Sequence, residues 1–390
     1  MDKKFKVSPS GRLVSTTHGA LAFSPDPLPP PIDIARHING VAAAASALGE
    51  LSGAARRLAN PHIILRPLQN REALTSSAIE GTHSTAEDLA LLDAGVARND
   101  RNETREVRNY AIALSESMNH IEDSGAITQF LIRSIHKRLM TGLSDHRGNL
   151  RPGEYKIEQN YIGGKRGSIE SARFVPPPPL ETVACMDDLE RHLSLDPKQK
   201  PHPLIDAGLV HYQFEAIHPF SDGNGRVGRI LIPLMLKSNG LPGAELLYVS
   251  PAIEARKDEY IDLMYEVSRD GAWENWIEFF LDIVAISARS AIDTIDRLII
   301  LQEKYAKIAH ESSQSSNLRL LAEKIFKTPV VTIPNVRDSI GVTYRAAAGL
   351  VEKLVQAGIL AEVPGRQVRT FVAREIIRIA HDNANNRESR

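Results

Sequence analysis

The chain has 390 residues, enough to bury a large core and to form more than one domain. Its 47 basic and 48 acidic side chains nearly cancel, so overall charge does not indicate binding to nucleic acid or to an anionic membrane. The single cysteine, Cys185, excludes an internal disulfide and a cysteine-based zinc cluster. No apolar run reaches the ~20 residues of a membrane helix, and the N-terminus lacks the apolar stretch of a signal peptide. We therefore expect a soluble, cytoplasmic protein without a membrane partner.

Helical patterns dominate the first third of the chain. A proline-rich segment ends residues 1–30, which are expected to run as extended chain over a surface. Beyond it, apolar residues recur with helical spacing and few breakers intervene. Gly81 is a suitable C-terminal stop for the second of the helices. The predicted helices cover residues 32–58, 61–79, 85–97, 103–121 and 126–141.

Residues 150–175 depart from this helical pattern. Glycines, among them Gly163 and Gly164, separate short stretches of tyrosine and isoleucine such as the one that includes Ile162. This alternation predicts a short β-hairpin. Four consecutive prolines at 176–179 end it, and helical patterns then resume.

A polar segment near the C-terminus, residues 310–317, is predicted to be a linker. After it, three helical patterns precede two strand patterns that flank Pro364-Gly365. This order resembles a winged helix-turn-helix, with residues 343–357 as the recognition-type helix. The predicted domains are an N-terminal region, a central core, the linker and the winged helix, at residues 1–100, 101–309, 310–317 and 318–390.

Residues 218–229, HPFSDGNGRVGR, are the most informative stretch of the chain. The helical pattern before them stops at His218-Pro219, because proline disfavours a helical conformation in the preceding residue. A second helical pattern begins at Arg226, so residues 221–225 are predicted to form a tight loop that leads into a helix N-terminus. Backbone N–H groups and the positive end of the helix dipole at such a terminus favour a phosphate.

The side chains of this stretch suit phosphate-transfer chemistry. Its loop glycines let the backbone approach a phosphate closely. Arg226 and Arg229 are three residues apart on one helix face, where their guanidinium groups can clamp phosphate oxygens. Asp222 can hold Mg²⁺ through an oxygen ligand. His218 is the residue type that most readily accepts a proton near neutral pH.

The stretch resembles the HxFx(D/E)GNGRxxR motif of Fic-domain proteins, and all eight fixed positions match. The resemblance spans roughly residues 20–300 and includes GEYKIEQNYIGG, RFVPPPP and GAWENWIEFFL. It implies a mainly α-helical Fic core with a small β-hairpin flap. It also implies transfer of AMP from ATP, with Mg²⁺, to a Ser, Thr or Tyr hydroxyl of a target protein. The target would dock on the flap, residues 155–164, by adding a strand.

Family roles can be placed on matching positions of this sequence. By this resemblance His218 is the general base, Asp222 holds the metal, the loop residues stabilise charge on the α-phosphate, and the two arginines hold the β- and γ-phosphates. Tyr260 is a hypothetical adenine contact, and packing is an equally good interpretation of a tyrosine on an amphipathic helix. The nucleotide-binding set is Asp222, Gly223, Asn224, Gly225, Arg226, Val227, Gly228, Arg229, Ile162, Gly163, Gly164 and Tyr260.

A second, shorter motif lies about 140 residues upstream. Ser76, Glu80 and Gly81 match the (S/T)xxxE(G/N) inhibitory motif of many Fic proteins. In those relatives the glutamate pairs with the second motif arginine, here Arg229, and prevents the γ-phosphate from docking productively. The resemblance therefore implies an enzyme that Glu80 holds in a low-activity state.

Other reactions stay open at the level of sequence. Some relatives use other nucleotides, move phosphocholine or phosphate, or remove AMP, and Glu80 could orient a water for de-AMPylation. The phosphate-transferring relatives carry a bulkier basic residue at the position of Gly225, so this glycine favours ATP as an AMP donor. A homodimer is also left open.

A non-enzymatic interpretation rests on the C-terminal unit. Residues 318–390 contain 12 basic and 7 acidic side chains, a net charge of +5. Arg345, Arg366 and Arg369 are the candidate phosphate contacts of a nucleotide-sensing DNA-binding regulator. Because winged helices also dock proteins, DNA and protein are equally open as partners of this unit.

Two further patterns are interpreted as structural. His211 and Glu215 are four residues apart and could bind a metal, but with no third ligand nearby we expect a satisfied pair on a helix face. Trp273 and Trp276 are expected to lie in the core.

Overall fold

The computed structural model describes residues 3–57, 62–96, 101–143, 150–163, 169–312 and 315–382. Most of them are helical, and the predicted mainly α-helical class is confirmed. The helices are α1 (Ile38–Arg56), α2 (His62–Ile79), α3 (Ala86–Asp93), α4 (Asn102–Ser124), α5 (Gln129–Met140), α6 (Pro179–Leu193), α7 (Pro203–Ile217), α8 (Asn224–Ser238), α9 (Ser250–Ala255), α10 (Lys257–Asp270), α11 (Trp273–Ser312), α12 (Ser316–Lys327), α13 (Ile333–Ile340), α14 (Tyr344–Gln356) and α15 (Arg374–His381). The strands are β1 (Gly11–Ser15), β2 (Leu21–Pro25), β3 (Val330–Thr332), β4 (Ala361–Val363) and β5 (Thr370–Val372).

The chain forms two compact units that alternate along the sequence. The first consists of Met1–Gly49 and Ile112–Ala288, and the second of Glu50–Ala111 and Arg289–Arg390. The predicted succession of domains along the chain stays a prediction. In the described part of the chain, every helix is too short or too polar to cross a lipid bilayer.

The N-terminal segment of the first unit is a β-hairpin rather than a single extended surface chain. β1 and β2 pair antiparallel, with Leu13 opposite Phe23. Phe23 is fully buried, and its ring packs edge-on against Phe5 with centroids 5.4 Å apart. Burial of these aromatic rings explains the difference, because they give the segment a core-facing side that its proline content does not indicate.

α7, which leads to the predicted catalytic loop, is almost entirely buried in the first unit. Thirteen of its fifteen residues are buried. Gly208 lets α11 approach closely, since a Cβ at this position would lie 2.9 Å from the Phe280 ring. The Trp276 indole N–H donates to the Gly208 carbonyl at 2.9 Å. Trp273 and Trp276 are 8% and 0% exposed, so their predicted core position is confirmed.

The hairpin predicted for residues 150–175 is reduced, among the described residues, to one bridge between Ile162 and Phe174. The Ile162 N–H donates to the Phe174 carbonyl at 2.8 Å, and the Phe174 N–H returns a bond at 3.1 Å. Gly163 follows with a φ of 68°, a conformation that suits glycine. The predicted site residue Gly164 lies outside the described residues.

The C-terminal part of the second unit contains α12, β3, α13, α14, β4, β5 and α15 in that order. Its three strands form an antiparallel sheet in the order β3-β5-β4. The sequence pattern predicted α12, α13, α14 and the β4–β5 pair, but it did not predict β3 or α15. The linker predicted at 310–317 is helical at both ends, because α11 continues to Ser312 and α12 begins at Ser316. The assignment as a winged helix-turn-helix stays a prediction.

Candidate active site

The candidate site begins where α7 ends. His218 is the C-cap of α7 and has a left-handed backbone, with φ 50° and ψ 58°. Among the described residues it is the one non-glycine residue with a positive φ. This conformation costs an L-residue roughly 1–2 kcal/mol, so the surrounding structure has to hold it. Pro219 contributes, because a residue before proline is disfavoured in the right-handed helical region.

The loop after His218 leads directly into the N-terminus of α8. Gly223 is the N-cap, with φ 78°, and it supplies no side-chain cap. A Cβ on Gly223 would overlap with the Met140 methyl group. Glycine is favoured here by its positive φ, and an added Cβ would also displace the end of the flexible Met140 side chain. The N–H groups of the first turn of α8 lack intrahelical acceptors and form an anion-binding end of the helix.

Asn224 clamps the loop through its side chain. Its Oδ1 accepts from the Phe220 N–H, and its Nδ2 donates to the Phe220 carbonyl, both at 2.8 Å. The residue is 2% exposed. The side-chain amide of Asn224 is therefore used to hold the loop, and the predicted role of Asn224 in binding the α-phosphate stays a prediction.

The two motif arginines are buried in the first unit, Arg226 at 2% and Arg229 at 1% exposure. Arg226 Nη2 lies 3.3 Å from Asp222 Oδ1, and the Asp222 side chain is 68% exposed. Because buried guanidinium groups keep their charge, the first six residues of α8 carry two buried positive charges.

The remaining motif residues, Val227 and Gly228, serve packing. Val227 is fully buried. A Cβ on Gly228 would overlap with the Glu215 carboxylate, so the glycine lets α8 approach α7. The Gly228 carbonyl accepts from His211 Nδ1 at 3.0 Å. These two residues therefore hold α8 against its neighbours, and their place in the nucleotide-binding set stays a prediction.

Tyr260 belongs to the same packed layer. Its hydroxyl donates to His211 Nε2 at 2.8 Å, because His211 Nδ1 is the donor to the Gly228 carbonyl. Tyr260 is 4% exposed, and its ring lies 5.9 Å from that of Trp276. Burial lowers the pKa of His211 to about 3 and keeps the imidazole neutral. Tyr260 therefore packs against His211 and Trp276, and both ring nitrogens of His211 have a hydrogen-bond partner. The adenine contact of Tyr260 stays a prediction.

Lys156, which sequence reasoning did not identify, lies beneath the loop. Its Nζ donates to the carbonyls of Ile217 at 3.2 Å and His218 at 2.9 Å, and to Asn160 Oδ1 at 2.8 Å. Its backbone N–H donates to the Pro219 carbonyl at 2.8 Å. Lys156 is 5% exposed, and burial lowers its pKa to about 7. The three oxygen acceptors and the negative end of α7 favour the ammonium form.

His136 fixes the other end of the loop and was also missed. Its Nδ1 accepts from the Gly153 N–H at 3.0 Å, so Nε2 is the protonated nitrogen and donates to the Asp222 carbonyl at 3.1 Å. Its ring stacks on Phe220 with centroids 3.8 Å apart. Burial lowers the pKa of His136 to about 4. A neutral histidine therefore holds the loop from below.

A divalent metal could be held at Asp222 only together with substrate phosphates. Within the described ranges, no cluster of three or more His, Cys, Asp or Glu side chains could hold a metal ion. Mg²⁺ commonly binds proteins through one or two carboxylates and completes its coordination with phosphate oxygens and water. The exposed Asp222 carboxylate beside an anion-binding helix end fits this mode of binding.

The predicted inhibitory residues lie in the second unit. Ser76 is fully buried in α2, which ends at Ile79. Glu80 follows in an exposed turn. Gly81 has a φ of 86° and donates its N–H to the Ala78 carbonyl at 2.9 Å, the geometry of a helix stop. The pairing of Glu80 with Arg229 stays a prediction.

Comparison with known proteins identifies two regions of the chain. Residues 126–236 match the Fic/DOC family, and residues 38–119 match the Fic/DOC family N-terminal region. A Fic family protein from Desulfovibrio desulfuricans G20 has a similar fold, with a TM-score of 0.58 and 23% identity over 89% of this chain and 98% of its own. A Fic domain containing signaling protein from Bacteroides thetaiotaomicron has a TM-score of 0.52 and 22% identity, over 64% and 97% of the two chains.

Curated relatives match over part of their length. The protein adenylyltransferase Fic of Drosophila yakuba is 30% identical over 202 residues, which are 51% of this chain and 37% of that protein. The protein of the same name from Aedes aegypti is 28% identical over 215 residues, 53% of this chain and 38% of its own length. The chain thus spans less than two fifths of these relatives.

Proposed function

Because residues 126–236 match the Fic/DOC family and residues 38–119 match its N-terminal region, we propose that the chain is a Fic-type enzyme that transfers AMP from ATP to a Ser, Thr or Tyr hydroxyl of a target protein. The observation that carries this proposal is the junction of α7 and α8. It places the His218 imidazole, at a fixed left-handed C-cap, one loop away from a helix N-terminus backed by two buried arginines. Transfer of a phosphoryl group requires a general base close to groups that bind the negatively charged phosphate, and this junction offers both.

In the proposed reaction His218 takes the proton of the target hydroxyl. The hydroxyl oxygen forms a bond to the α-phosphorus of ATP, the bond from that phosphorus to the β-phosphate bridging oxygen breaks, and pyrophosphate leaves. First-turn N–H groups of α8 stabilise charge on the α-phosphate, and Arg226 and Arg229 hold the outer phosphates. When bound at Asp222, Mg²⁺ would neutralise part of the phosphate charge.

The target is proposed to dock along residues 155–164. The Ile162–Phe174 bridge gives this segment one antiparallel backbone pair. Ile157 is 60% exposed and offers an apolar contact on the segment. A strand of the target could add to this edge through main-chain hydrogen bonds, which would bring its hydroxyl to His218.

Glu80 is proposed to hold the enzyme in a low-activity state by pairing with Arg229. The support for this is the motif and the position of Glu80 in an exposed turn after a well-defined helix stop. A carboxylate paired with Arg229 would remove one of the two cations that the outer phosphates need.

For the C-terminal unit we favour protein docking over DNA binding. Arg369 is bound by both carboxylate oxygens of Glu362 at 2.9 Å each, and Arg366 donates to the Val96 carbonyl at 3.3 Å. Two of the three candidate phosphate contacts are therefore already paired, Arg369 within residues 318–390 and Arg366 with the backbone of Val96. The buried, free thiol of Cys185 is compatible with a reducing compartment, and we propose the cytoplasm as the location.

The test measures transfer of label from ATP labelled at the α-phosphate, using the protein itself and a cell lysate as acceptors. In the Glu80→Gly variant, we expect labelled protein bands that disappear when His218→Ala is added. Wild-type protein should give much weaker bands. Folded Glu80→Gly protein that binds ATP but transfers no label would refute AMP transfer, and equal slow labelling by wild type and Glu80→Gly would refute inhibition by Glu80.

A further inference from the structure

The backbone of the loop after α7 is bound at four consecutive carbonyls, those of residues 217–220. Lys156 Nζ binds the first two, and the Lys156 N–H binds the third. Asn160 Nδ2 donates to the His218 carbonyl at 3.2 Å and to the Phe220 carbonyl at 3.0 Å. A segment of five residues, Lys156–Asn160, therefore defines the path of the chain that carries the imidazole.

Two features show that this contact is more than ordinary packing. A buried ammonium group is costly unless its donors are satisfied, and each of the three donors of Lys156 has an oxygen acceptor. Asn160 is joined to Lys156 and to the loop at once, so the two side chains form one network. The network converges on His218, whose left-handed backbone is the conformation that needs external support.

We propose that Lys156 and Asn160 are positioning residues that hold the His218 imidazole in its proton-accepting place. Their side chains bind backbone carbonyls of the catalytic loop. We therefore expect them to affect catalysis through the position of His218 and not through contact with the nucleotide. The inference rests on the proposed AMP transfer for its catalytic consequence, but the placement of the His218 ring can be measured without any activity.

The consequence should fall on turnover. The anion-binding end of α8 and the two arginines are held by other contacts, namely the Asn224 clamp and burial of the guanidinium groups. Loss of the Lys156 ammonium should therefore leave the affinity for ATP nearly unchanged. A misplacement of about 1 Å at a reacting group can cost on the order of 100-fold in rate.

The experiment compares Lys156→Met, Asn160→Ala and Lys156→Arg, each in the Glu80→Gly background. Lys200→Met is the matched control, because Lys200 Nζ also donates to a helix-end carbonyl, that of Leu193 at 2.7 Å. The measurements are kcat for AMP transfer, Kd for ATP by direct titration, the thermal midpoint, and the NMR signal of the His218 ring identified through His218→Ala.

We expect Lys156→Met to lower kcat by on the order of 100-fold and Kd to change less than threefold. The His218 signal should shift or broaden, and Lys156→Arg should recover part of the rate. Lys200→Met should lower the thermal midpoint at most, with kcat and the His218 signal unchanged. A Lys156→Met protein with parental kcat and an unmoved His218 signal would overturn the proposal, as would equal effects from Lys200→Met.

Two other outcomes also decide the question. If Lys156→Met does not fold, Asn160→Ala carries the same test, since it removes two loop contacts without emptying the site of the ammonium. If the Glu80→Gly parent transfers no label, the proposed function fails on its own. The His218 signal then still decides, because a shift in both loop variants and none in the control supports the positioning role, and no shift refutes it.

Discussion

The Tyr260→Phe substitution separates a packing role from a role in binding the nucleotide. It removes one oxygen and leaves the ring, so the contact with Trp276 at 5.9 Å is retained. The lost hydroxyl is the donor to His211 Nε2, and the His211 ring cannot turn to find another partner because its Nδ1 is bound to the Gly228 carbonyl. The variant therefore leaves one buried acceptor unsatisfied.

An unsatisfied buried polar group of this kind costs about 1–3 kcal/mol of stability. Because the hydroxyl is bound to His211 and the ring packs against Trp276, nucleotide affinity should not change. Tyr212→Phe is the matched control, since the Tyr212 hydroxyl pairs with Ser268 Oγ at 2.8 Å in the same unit and is also buried. We expect both variants to lose stability and neither to lose ATP affinity.

The assay combines urea unfolding followed by fluorescence with titration of ATP into each folded variant. The unfolding midpoint of Tyr260→Phe should fall, and its Kd for ATP should stay within twofold of the parent. An unchanged midpoint together with a tenfold weaker Kd would show that Tyr260 contacts the nucleotide and that the buried position is not the one used in binding.

Three further outcomes follow from the same contacts. Asn224→Ala removes two hydrogen bonds that hold the loop. It should lower the rate of AMP transfer, measured by label transfer, by at least about tenfold, and lower stability in urea unfolding by roughly 1–3 kcal/mol. An unaltered rate would contradict the role of Asn224 in holding the loop. Burial lowers the pKa of His211 to about 3, so the unfolded chain binds a proton first as the pH falls below the ordinary value. His211 alone should therefore contribute a loss of stability of about 1.4 kcal/mol per pH unit well below pH 6.5, and His211→Gln should reduce the total slope by that amount in urea unfolding from pH 7 to pH 5. Arg369→Ala breaks an internal pair with Glu362 and should leave any weak, salt-sensitive retention on DNA unchanged, whereas a clear loss of binding in a gel shift would favour the DNA-binding alternative.

The sequence allowed the catalytic loop to be predicted because its determinants are contiguous. The helix stop at His218-Pro219 and the helix start after Gly223 are local effects of proline and glycine. The stop lies where the pattern predicts it, and α8 begins two residues before the predicted start at Arg226. The identity of residues that support the loop is a different matter. Lys156 and His136 are separated from the loop by 62 and 86 residues along the chain, and neither carries a local signal of burial.

Asn224 and Tyr260 show why residue type alone does not assign a role. An asparagine side chain next to a phosphate site can bind the phosphate or the loop, and only the distance to the Phe220 backbone distinguishes them. A tyrosine on an amphipathic helix can face solvent or core, and the contact that decides is a hydrogen bond to His211 from another helix.

The bound carbonyls of the loop also limit how such an enzyme can be regulated. The carbonyls of residues 217–220 accept from Lys156, Asn160 and Asn224, and the Asp222 carbonyl accepts from His136. Moving His218 would break several buried hydrogen bonds together, each worth about 0.5–1.5 kcal/mol net and more when a group is left unsatisfied. A control device that must switch easily is better placed on an exposed side chain than on this backbone. Glu80, in an exposed turn, is such a side chain, and its proposed action on Arg229 alters where phosphates bind while the proton acceptor stays in place.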